Sequence, residues 1–333
     1  MKNSRFMIII LIITLLTITL AGCSGNEASE TSNEEQLVLK LANASAIGDE
    51  RHESLLKFAE LVDEKSNGTV KIEVYSGGTL GSWRETIEGL EPGIVQIVCE
   101  SIGTLEAYSP TASIDAYPYL YRDIDHYLKV MNSEIGQGLL DTVSQESGLI
   151  IMGPSYRGAR VMTTNKKVEN ADDLKGLKIR VPGIQIYIKT WEYLGASPIP
   201  MDTTEIYTGL QQGTVEGQEN PVLYSYGNAF YDVCDYLILS NHVFSTDVFI
   251  FDEDYFNSLP KDVQKILEEA AIEAGDYRTQ LVIEREQETI EKFKEKGVEV
   301  IEPDIESFKA KLTDFSKEFP NLTELVEKIQ SYE

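Results

Sequence analysis

The sequence predicts an α/β fold, and three observations indicate it. Short runs in which apolar and polar residues alternate are typical of strands. Between these runs lie segments whose apolar residues recur every three or four positions, as on one face of a helix. Helix-capping residues and glycines stand where the pattern changes. The chain has 333 residues, of which 42% are hydrophobic, so it can bury the cores of two domains of ordinary size.

The predicted strands are apolar runs, most of them alternating with polar residues, bounded by turn residues. The predicted strand 93–101 ends in the polar pair Glu100 and Ser101. Because helical segments lie between the strands along the chain, we expect a sheet that is covered by helices. The predicted strands are 37–43, 69–75, 93–101, 148–153, 177–181, 236–239 and 247–251.

Two of the predicted helices begin at residue pairs with the spacing of a capping box, in which each side chain satisfies a backbone N–H of the other residue. These pairs are Ser82 with Glu85 and Asp202 with Glu205. The predicted helices are 49–67, 83 to near 92, 202 to about 212, and 258–297.

The last of these helices is unusually long. Ser258 and Pro260 mark its start, and no helix-breaking residue follows until Gly275 and then Gly297. If Gly275 is tolerated inside the helix, about 36 residues at 1.5 Å each would span roughly 54 Å, which exceeds the size of one small domain. We therefore expect this helix to bridge two domains.

The first 22 residues are typical of a secretory signal peptide. Lys2 and Arg5 precede an apolar stretch over residues 6–16, which is short for a membrane span and leads into small residues. The sequence "LAGC" that ends at Cys23 resembles the lipobox of bacterial lipoproteins, in which the cysteine is lipidated and becomes the first residue. The alternative is an ordinary signal peptide with an incidental cysteine.

Residues 23–36 are polar, acidic and almost free of apolar side chains, so we expect a flexible tether. The net charge of the whole chain is −26, and removal of Lys2 and Arg5 with the signal peptide makes it −28. This acidity argues against nucleic acid or anionic lipid surfaces as partners. The sequence predicts an extracytoplasmic protein that is lipid-anchored to the membrane, at the cell surface or in the periplasm.

Signatures of catalysis, metal binding and cofactor binding are lacking in the sequence. His52, His126 and His242 have no metal-ligand spacing, and we expect them at the surface or at helix caps. We predict no metal site and no cofactor. Cys99 and Cys234 lie in apolar surroundings and are expected to be buried free thiols.

One arginine stands in an unusual place. In the predicted strand 177–181, alternation places Lys178 and Arg180 on the face opposite the apolar residues, and Pro182 ends the strand. In open α/β sheets, ligands bind beyond the carboxyl ends of the strands, near helix amino-termini. A guanidinium suits a carboxylate there, because it is always charged and can make two parallel hydrogen bonds. A solvated arginine paired with an acidic neighbour is the alternative.

Four ordered segments of the chain carry a family resemblance. They are "GGTLGSWRE", "YPYLYRDIDH", "RGARVMTTNKKVENADDLKGLKIRVP" and "EIYTGLQQGTVEGQENP". Together they resemble the DctP-type substrate-binding proteins of TRAP transporters, tripartite ATP-independent systems that take up organic acids. The resemblance covers the chain from about residue 37 to residue 242, and less tightly to the end.

The resemblance implies a two-lobed fold like that of periplasmic binding proteins, with crossing strands and a long helix that spans both lobes. We expect lobe I to contain residues 37–157 and 246–285, and lobe II to contain residues 158–245 and 286–333. The long helix predicted above fits this arrangement.

The resemblance also implies which residues bind the ligand. In the family, the arginine of "KIRVP" binds the ligand carboxylate, the asparagine of "QENP" assists it, and the arginine of the Arg-x-x-Thr motif adds a further contact. Matched by motif, these residues are Arg180, Asn220 and Arg160. The implied ligand is a small-molecule carboxylate.

Selectivity among acids has to come from other residues near this site, and four are candidates. Glu100, at the end of its strand, could accept hydrogen bonds from ligand hydroxyls. Trp83 could stack on a sugar face or pack in the core. Asp202 could contact the ligand, although helix capping alone explains it, and Asn43 ends the first strand as a further polar candidate.

A uronate or an aldonate-like hydroxy acid fits Glu100 and Trp83 better than a C4-dicarboxylate, which would require a second cation from Arg157 or Arg160. The sialic-acid binders of the family place an acidic residue near Ser82, a basic one near Gly103 and an aromatic one near Thr203. The sequence has no clear match to these features, so we do not expect sialic acid as the ligand.

The function that we predict is capture of an organic acid between two lobes and its delivery to the small and large membrane subunits of a TRAP transporter, without enzymatic activity. One alternative is a surface-anchored enzyme that acts on acidic sugars with two carboxylates among Glu100, Asp202 and Glu219. The other is a solute-binding protein of an ABC importer.

Overall fold

The computed structural model describes residues 36–333. The predicted signal peptide, the predicted lipidation site at Cys23 and the tether up to residue 35 lie outside the described residues. Within the described part, nine strands form one sheet and eleven α-helices pack around it. The predicted α/β class is confirmed.

The strands are β1 (Leu37–Ala42), β2 (Val70–Tyr75), β3 (Ile97–Ser101), β4 (Leu149–Thr164), β5 (Lys178–Val181), β6 (Ser197–Pro200), β7 (Gly217–Pro221), β8 (Tyr236–Asp252) and β9 (Glu299–Ile301). The α-helices are α1 (Glu50–Lys65), α2 (Trp83–Glu88), α3 (Ile124–Met131), α4 (Glu134–Ser147), α5 (Gln185–Tyr193), α6 (Ile206–Gln211), α7 (Val222–Gly227), α8 (Glu253–Ser258), α9 (Lys261–Glu295), α10 (Ile305–Lys311) and α11 (Thr323–Gln330).

A central antiparallel pair of long strands joins two groups of parallel strands. β1 lies between β2 and β3, and β5 lies between β6 and β7. β4 and β8, of 16 and 17 residues, run between the groups and pair with each other. β8 also pairs with β3 and β9, and β4 pairs with β7, which gives the order β2-β1-β3-β8-β4-β7-β5-β6. The two long strands thus cross from one group to the other.

The two crossing strands are longer than the sequence predicts. The predicted strand 148–153 is only the start of β4, and the predicted strands 236–239 and 247–251 are the two ends of β8. The middle of β8 contains polar residues such as Ser240 and His242, which argue against a buried strand. In the structure both side chains are buried and hydrogen-bond each other, so the strand continues.

The long helix is confirmed as α9, which has 35 residues and follows Pro260 at its amino-terminal cap. It packs against α1 and β4 and also against α7 and β9, so it contacts elements beside both strand groups. The capping box of Ser82 and Glu85 is confirmed too, although α2 ends at Glu88, earlier than predicted, because Gly89 caps it. Each helix within residues 36–333 is too short or too polar to span a bilayer.

Gly275 lies inside α9 because the helix touches β4 backbone to backbone. A Cβ atom at Gly275 would lie 2.8 Å from the carbonyl oxygen of Gly153 and 3.0 Å from that of Pro154. Gly153 itself has a left-handed φ of 61°, and a Cβ there would overlap the carbonyl of Ala271. Glycine at both positions therefore permits the close approach of helix and strand.

The apolar core covers both faces of the sheet. One cluster lies between α1, the first half of α9 and the strands β1, β3 and β8, and in it Phe58 stacks on Phe249 with ring centroids 4.4 Å apart. A larger cluster extends beneath α3, α4 and α5 and includes Trp191, which is fully buried. The two predicted free thiols, Cys99 and Cys234, are buried and unbridged, as expected.

We predict that Gly275→Ala destabilises the protein by about 1–3 kcal/mol, because the added methyl group collides with backbone atoms that no side-chain rotation can move. The matched control is Gly138→Ala in the exposed part of α4, where a Cβ meets nothing within 4 Å. Alanine there should stabilise by about 0.5–1 kcal/mol through helix propensity. Urea unfolding measures both changes, and equal stability of the two variants would contradict the packing described for Gly275.

Candidate functional site

A small cavity beside the carboxyl ends of β3, β5 and β7 brings most of the predicted site residues together. It encloses about 30 Å³. Five of the seven predicted ligand-binding residues line it, namely Trp83, Glu100, Arg160, Arg180 and Asn220. Asn43 and Asp202 do not belong to this lining.

Arg180 is held near the end of β5 with its side chain 1% exposed. Its Nε and Nη2 atoms donate hydrogen bonds of 2.9 and 2.6 Å to the backbone carbonyl of Met201. It forms no ion pair with any residue in 36–333. Burial, uncompensated by a contacting carboxylate, lowers the pKa of Arg180 to about 10. The guanidinium therefore remains a cation at neutral pH, and its charge has no carboxylate in contact.

Asn220 is oriented by a chain of buried hydrogen bonds. Its Nδ2 atom donates to Gln218 at 2.7 Å, and Gln218 in turn donates to the hydroxyls of Thr163 and Ser225. Its Oδ1 atom accepts a hydrogen bond of 3.3 Å from Arg157. With its oxygen in use, Asn220 retains a second N–H of its amide as a donor for a ligand.

Arg160 is bound to a carboxylate of the protein. Its Nε atom lies 2.5 Å from Oε2 of Glu219, and its Nη2 atom donates to Oε1 of Glu219 at 2.6 Å and to the backbone carbonyl of Glu219 at 2.8 Å. The guanidinium also stacks on the ring of Tyr187, 4.7 Å from its centroid. Arg160 thus borders the cavity with its charge already compensated by a carboxylate of the protein.

Glu219 also binds a histidine. Nε2 of His242 lies 3.1 Å from Oε2 of Glu219, and Nδ1 lies 2.9 Å from the hydroxyl of Ser240. Burial alone would raise the pKa of Glu219, but the charge of Arg160 and the hydrogen bonds from Arg160 and His242 lower it to about 2. Burial lowers the pKa of His242, so this ring is neutral. Glu219 is therefore a fixed, ionised partner of Arg160.

The expectation of surface or capping positions for the histidines is wrong for His242, whereas His126, although buried, lies in the first turn of α3 and caps it. His242 is fully buried between Glu219 and Ser240, and His126 is 2% exposed. His126 accepts a hydrogen bond from the backbone of Arg122 and contacts the carbonyl of Ile329. Both rings find polar partners inside the protein, and the partners that are distant in sequence, Ile329 for His126 and Glu219 for His242, leave no trace in the local sequence.

Arg157 also lines the cavity, although the sequence argument placed it only among alternative cations. Strict alternation would put Arg157 and Arg160 on opposite faces of β4. The pairing of β4 with β8 is irregular between Tyr156 and Gly158, and Gly158 has a φ of 107°, so both arginines reach the same cavity. A glycine inside a strand is the signal that could have indicated this bulge.

A buried cluster of charges lies behind Glu100. Nη1 of Arg51 donates to Oε2 of Glu100 at 3.0 Å, and Nη2 of Arg51 lies 2.7 Å from Oδ2 of Asp247. Asp247 also binds Arg278 and lies 3.7 Å from Nε of Arg157. The charges of these arginines, opposing burial, lower the pKa of Asp247 well below its usual range. Glu100 is thus presented to the cavity by an arginine that is itself anchored.

The remaining predicted residues differ in position. Trp83 is 6% exposed and borders the cavity while packing in the core. Asn43 is buried and accepts a hydrogen bond of 2.6 Å from the backbone of Ser45, as in a local turn. Asp202 is exposed, and its backbone N–H donates to the carboxylate of Glu205, which is the capping arrangement.

The comparison with known families agrees with this geometry. The family model described as "Bacterial extracellular solute-binding protein, family 7", DctP, matches residues 41–321. The chain belongs to this family. DctP-family proteins bind solutes and are not enzymes, so the alternative of an enzyme acting on acidic sugars is set aside.

This DctP-family chain is similar to proteins of known structure or ligand. It is 30% identical over 307 residues, 92% of its length, to the sialic acid-binding periplasmic protein of Vibrio cholerae, of which 94% is covered. A TRAP periplasmic solute-binding protein from Polaromonas sp. bound to D-erythronate has a TM-score of 0.84 and 31% identity, with 90% of this chain and 99% of that one covered. A third, from Pseudomonas putida with D-glucuronate, has a TM-score of 0.86 and 28% identity, with 89% and 98% covered. The predicted TRAP family and two-lobed fold are confirmed.

We predict that Glu219→Gln destabilises the protein by about 3–5 kcal/mol at neutral pH, because it leaves the buried charge of Arg160 without a partner. The folded-state pKa of Glu219 is about 2 and its ordinary value is 4.5, so its contribution is present above pH 4.5 and is lost as the pH falls toward 2. The difference between wild type and variant in urea unfolding should therefore shrink over this range.

The control is Glu291→Gln, which removes an exposed ion pair with Lys294 on α9. Its effect should stay below about 1 kcal/mol at any pH. A Glu219→Gln effect as small as that of the control would show that the buried pair does not stabilise the fold as described.

Proposed function

We propose that this DctP-family protein captures an organic acid by binding its carboxylate with Arg180 and Asn220, and delivers it to the small and large membrane subunits of a TRAP transporter. The observation that carries the proposal is the charge of Arg180, which is buried at the cavity without a carboxylate partner in residues 36–333.

A comparison among the buried arginines supports this assignment. Arg51 and Arg160 each contact a carboxylate of the protein, and that contact compensates their burial. Arg180 donates only to a backbone carbonyl, which bears a partial charge. Since an isolated buried charge is costly, a ligand carboxylate at Arg180 would restore the balance that Asp247 and Glu219 provide elsewhere.

For the ligand we propose a uronate or an aldonate-like hydroxy acid. Glu100 faces the cavity with only one oxygen bound by Arg51, and the buried hydroxyl of Thr203 has no partner among the described residues. Both can bind ligand hydroxyls. Arg157, the second cation that a dicarboxylate would require, already contacts Asp247 and Asn220. The relatives bound to D-erythronate and D-glucuronate are consistent with this class.

Entry of such a ligand would require movement of the two proposed lobes, residues 37–157 with 246–285 and residues 158–245 with 286–333. The cavity volume of about 30 Å³ is far below the roughly 300–1,000 Å³ that sites for small molecules usually enclose. Arg84 of lobe I donates to the carbonyl of Gly183 in lobe II at 3.3 Å, so opening would break this contact. The acid would then stabilise the closed state through contacts that it makes only there.

The site of action that we propose is outside the cytoplasmic membrane. The signal peptide and the lipidation of Cys23, predicted from the sequence, would tether the protein by lipid through residues 24–36. Such a tether keeps the binding protein close to its membrane subunits.

We predict that Arg180→Ala weakens binding of the acid by about 2–5 kcal/mol, or roughly 30- to several-thousand-fold. Arg180→Lys should also lose most of the affinity, because the charge remains but the planar fork does not. Calorimetric titration with D-glucuronate and D-erythronate measures these losses. Arg285→Ala, which removes a partly exposed pair with Glu53, is the control and should bind as wild type does. Near wild-type affinity of both Arg180 variants would refute the assignment.

We predict that D-glucuronate or D-erythronate binds at least about tenfold more tightly than succinate, because their hydroxyls donate hydrogen bonds to Glu100 that a dicarboxylate cannot donate. Glu100→Gln should reduce this preference, whereas Glu106→Gln, outside this cavity, should keep it. A thermal-shift screen followed by calorimetry tests both statements. Tighter binding of succinate by the wild type would favour a dicarboxylate ligand instead.

A further inference from the structure

A second cavity lies on the other side of β4 from the site described above. It encloses about 530 Å³, within the usual range for small-molecule sites. Tyr156 and Ala159 of β4 line it, whereas Arg157 and Arg160 of the same strand line the first cavity. None of the predicted ligand-binding residues lines this second space.

Aromatic side chains form much of its wall. Tyr119, Tyr121, Tyr156 and Phe244 all line the space, which we call the aromatic cavity. Tyr156 and Phe244 are stacked at 6.1 Å between centroids, and Tyr121 meets Phe244 edge to face at 6.4 Å. Faces of aromatic rings attract cations, and several rings around one space are the usual recognition site of alkylammonium groups.

Two residues of this wall have an unfavourable backbone conformation. Tyr119 has a φ of 53° and Asn241 a φ of 41°. The left-handed region is especially costly for a bulky residue such as tyrosine. The backbone of Tyr119 is held by a hydrogen bond of 2.8 Å to the carbonyl of His242, and its hydroxyl donates to the carbonyl of Ser240. Such strain is concentrated at binding sites in proteins.

The charged residues that line the aromatic cavity are exposed, with one exception. Arg122 donates to the carbonyls of Gln330 and Tyr332 and is exposed to solvent. The carboxylate of Asp123 accepts from the backbone of His126, and Lys309 pairs with Glu306 at 2.9 Å. The exception, Glu286 of α9, forms no ion pair within residues 36–333 and is half-buried.

Glu286 has the character of a carboxylate that lacks its counter-ion. Burial raises the pKa of Glu286 to about 7, and the backbone N–H of Ala159 offsets only part of this effect. Burial raises the pKa of Tyr156 well above its usual value, and the nearby charge of Glu286 raises it further. A cation beside Glu286 would remove the unfavourable burial of its charge.

We propose that the aromatic cavity is a second binding site for a small alkylammonium cation. The cation would contact the rings of Tyr156 and Phe244 on one side and the carboxylate of Glu286 on the other. The site is separate from the carboxylate-binding site, and its occupancy does not depend on the proposed function. Its ligand class is opposite in charge to that of the first cavity.

The test is calorimetric titration of the full chain with choline and, separately, with the uncharged isostere of choline in which a tert-butyl group replaces the trimethylammonium. Choline should bind at least about tenfold more tightly than the isostere. Glu286→Gln should weaken choline binding at least about tenfold, and Phe244→Leu should weaken it as well. Glu284→Gln, an exposed neighbour on α9, is the matched control and should leave the affinity unchanged.

The pH dependence of choline binding is an independent test of the proposal. Because choline requires the ionised carboxylate, its affinity for the wild type should rise between about pH 6 and pH 8 and stay flat for Glu286→Gln. The other titratable and charged groups that line this space are Arg122, Asp123, Lys309, Tyr119, Tyr121 and Tyr156. Equal binding of choline and its isostere, wild-type affinity in Glu286→Gln with an unchanged circular dichroism spectrum, or no binding up to about 10 mM would each overturn the proposal.

Discussion

The antiparallel ladder between β4 and β8 determines the arrangement of everything else. Its pairing runs from Leu149 with Asp252 to Thr164 with Tyr236, and it joins one group of parallel strands to the other. Because bulges interrupt the ladder, Arg157 and Arg160 reach the same cavity while Tyr156 lines the opposite one. The connection between the two halves of the sheet therefore also carries the binding groups.

Compensation of charge is the second organising constraint. The cluster around Asp247 and the pair of Arg160 with Glu219 place arginines and carboxylates in direct contact inside the protein. Removing one partner from such a pair is more damaging than replacing both, since the remaining charge stays buried. Against this background, Arg180 stands out among the buried arginines of residues 36–333, because it alone lacks an ion-pair partner there.

The sequence predicted what depends on local pattern. Alternation placed Arg180 on a short strand stopped by Pro182, and the capping box located the start of α2. It did not predict the continuous β8 or the interior position of His242, because these depend on contacts between distant residues. Arg51 and Asp247 are 196 residues apart, and Arg160 and Glu219 are 59 apart. Polar residues in β4 and β8 resemble loop residues until those partners are known.

The meeting of Gly153 with Gly275 bears on how such a molecule can move. Side chains that interdigitate can exchange rotamers as two elements glide past each other, which is the basis of shear motion. Here peptide groups touch directly with no side chain between them, so gliding of α9 along β4 would bring carbonyl oxygens into collision. Since both glycines belong to the proposed lobe I, this contact keeps the first part of α9 and the first part of β4 together as one rigid unit when the lobes move.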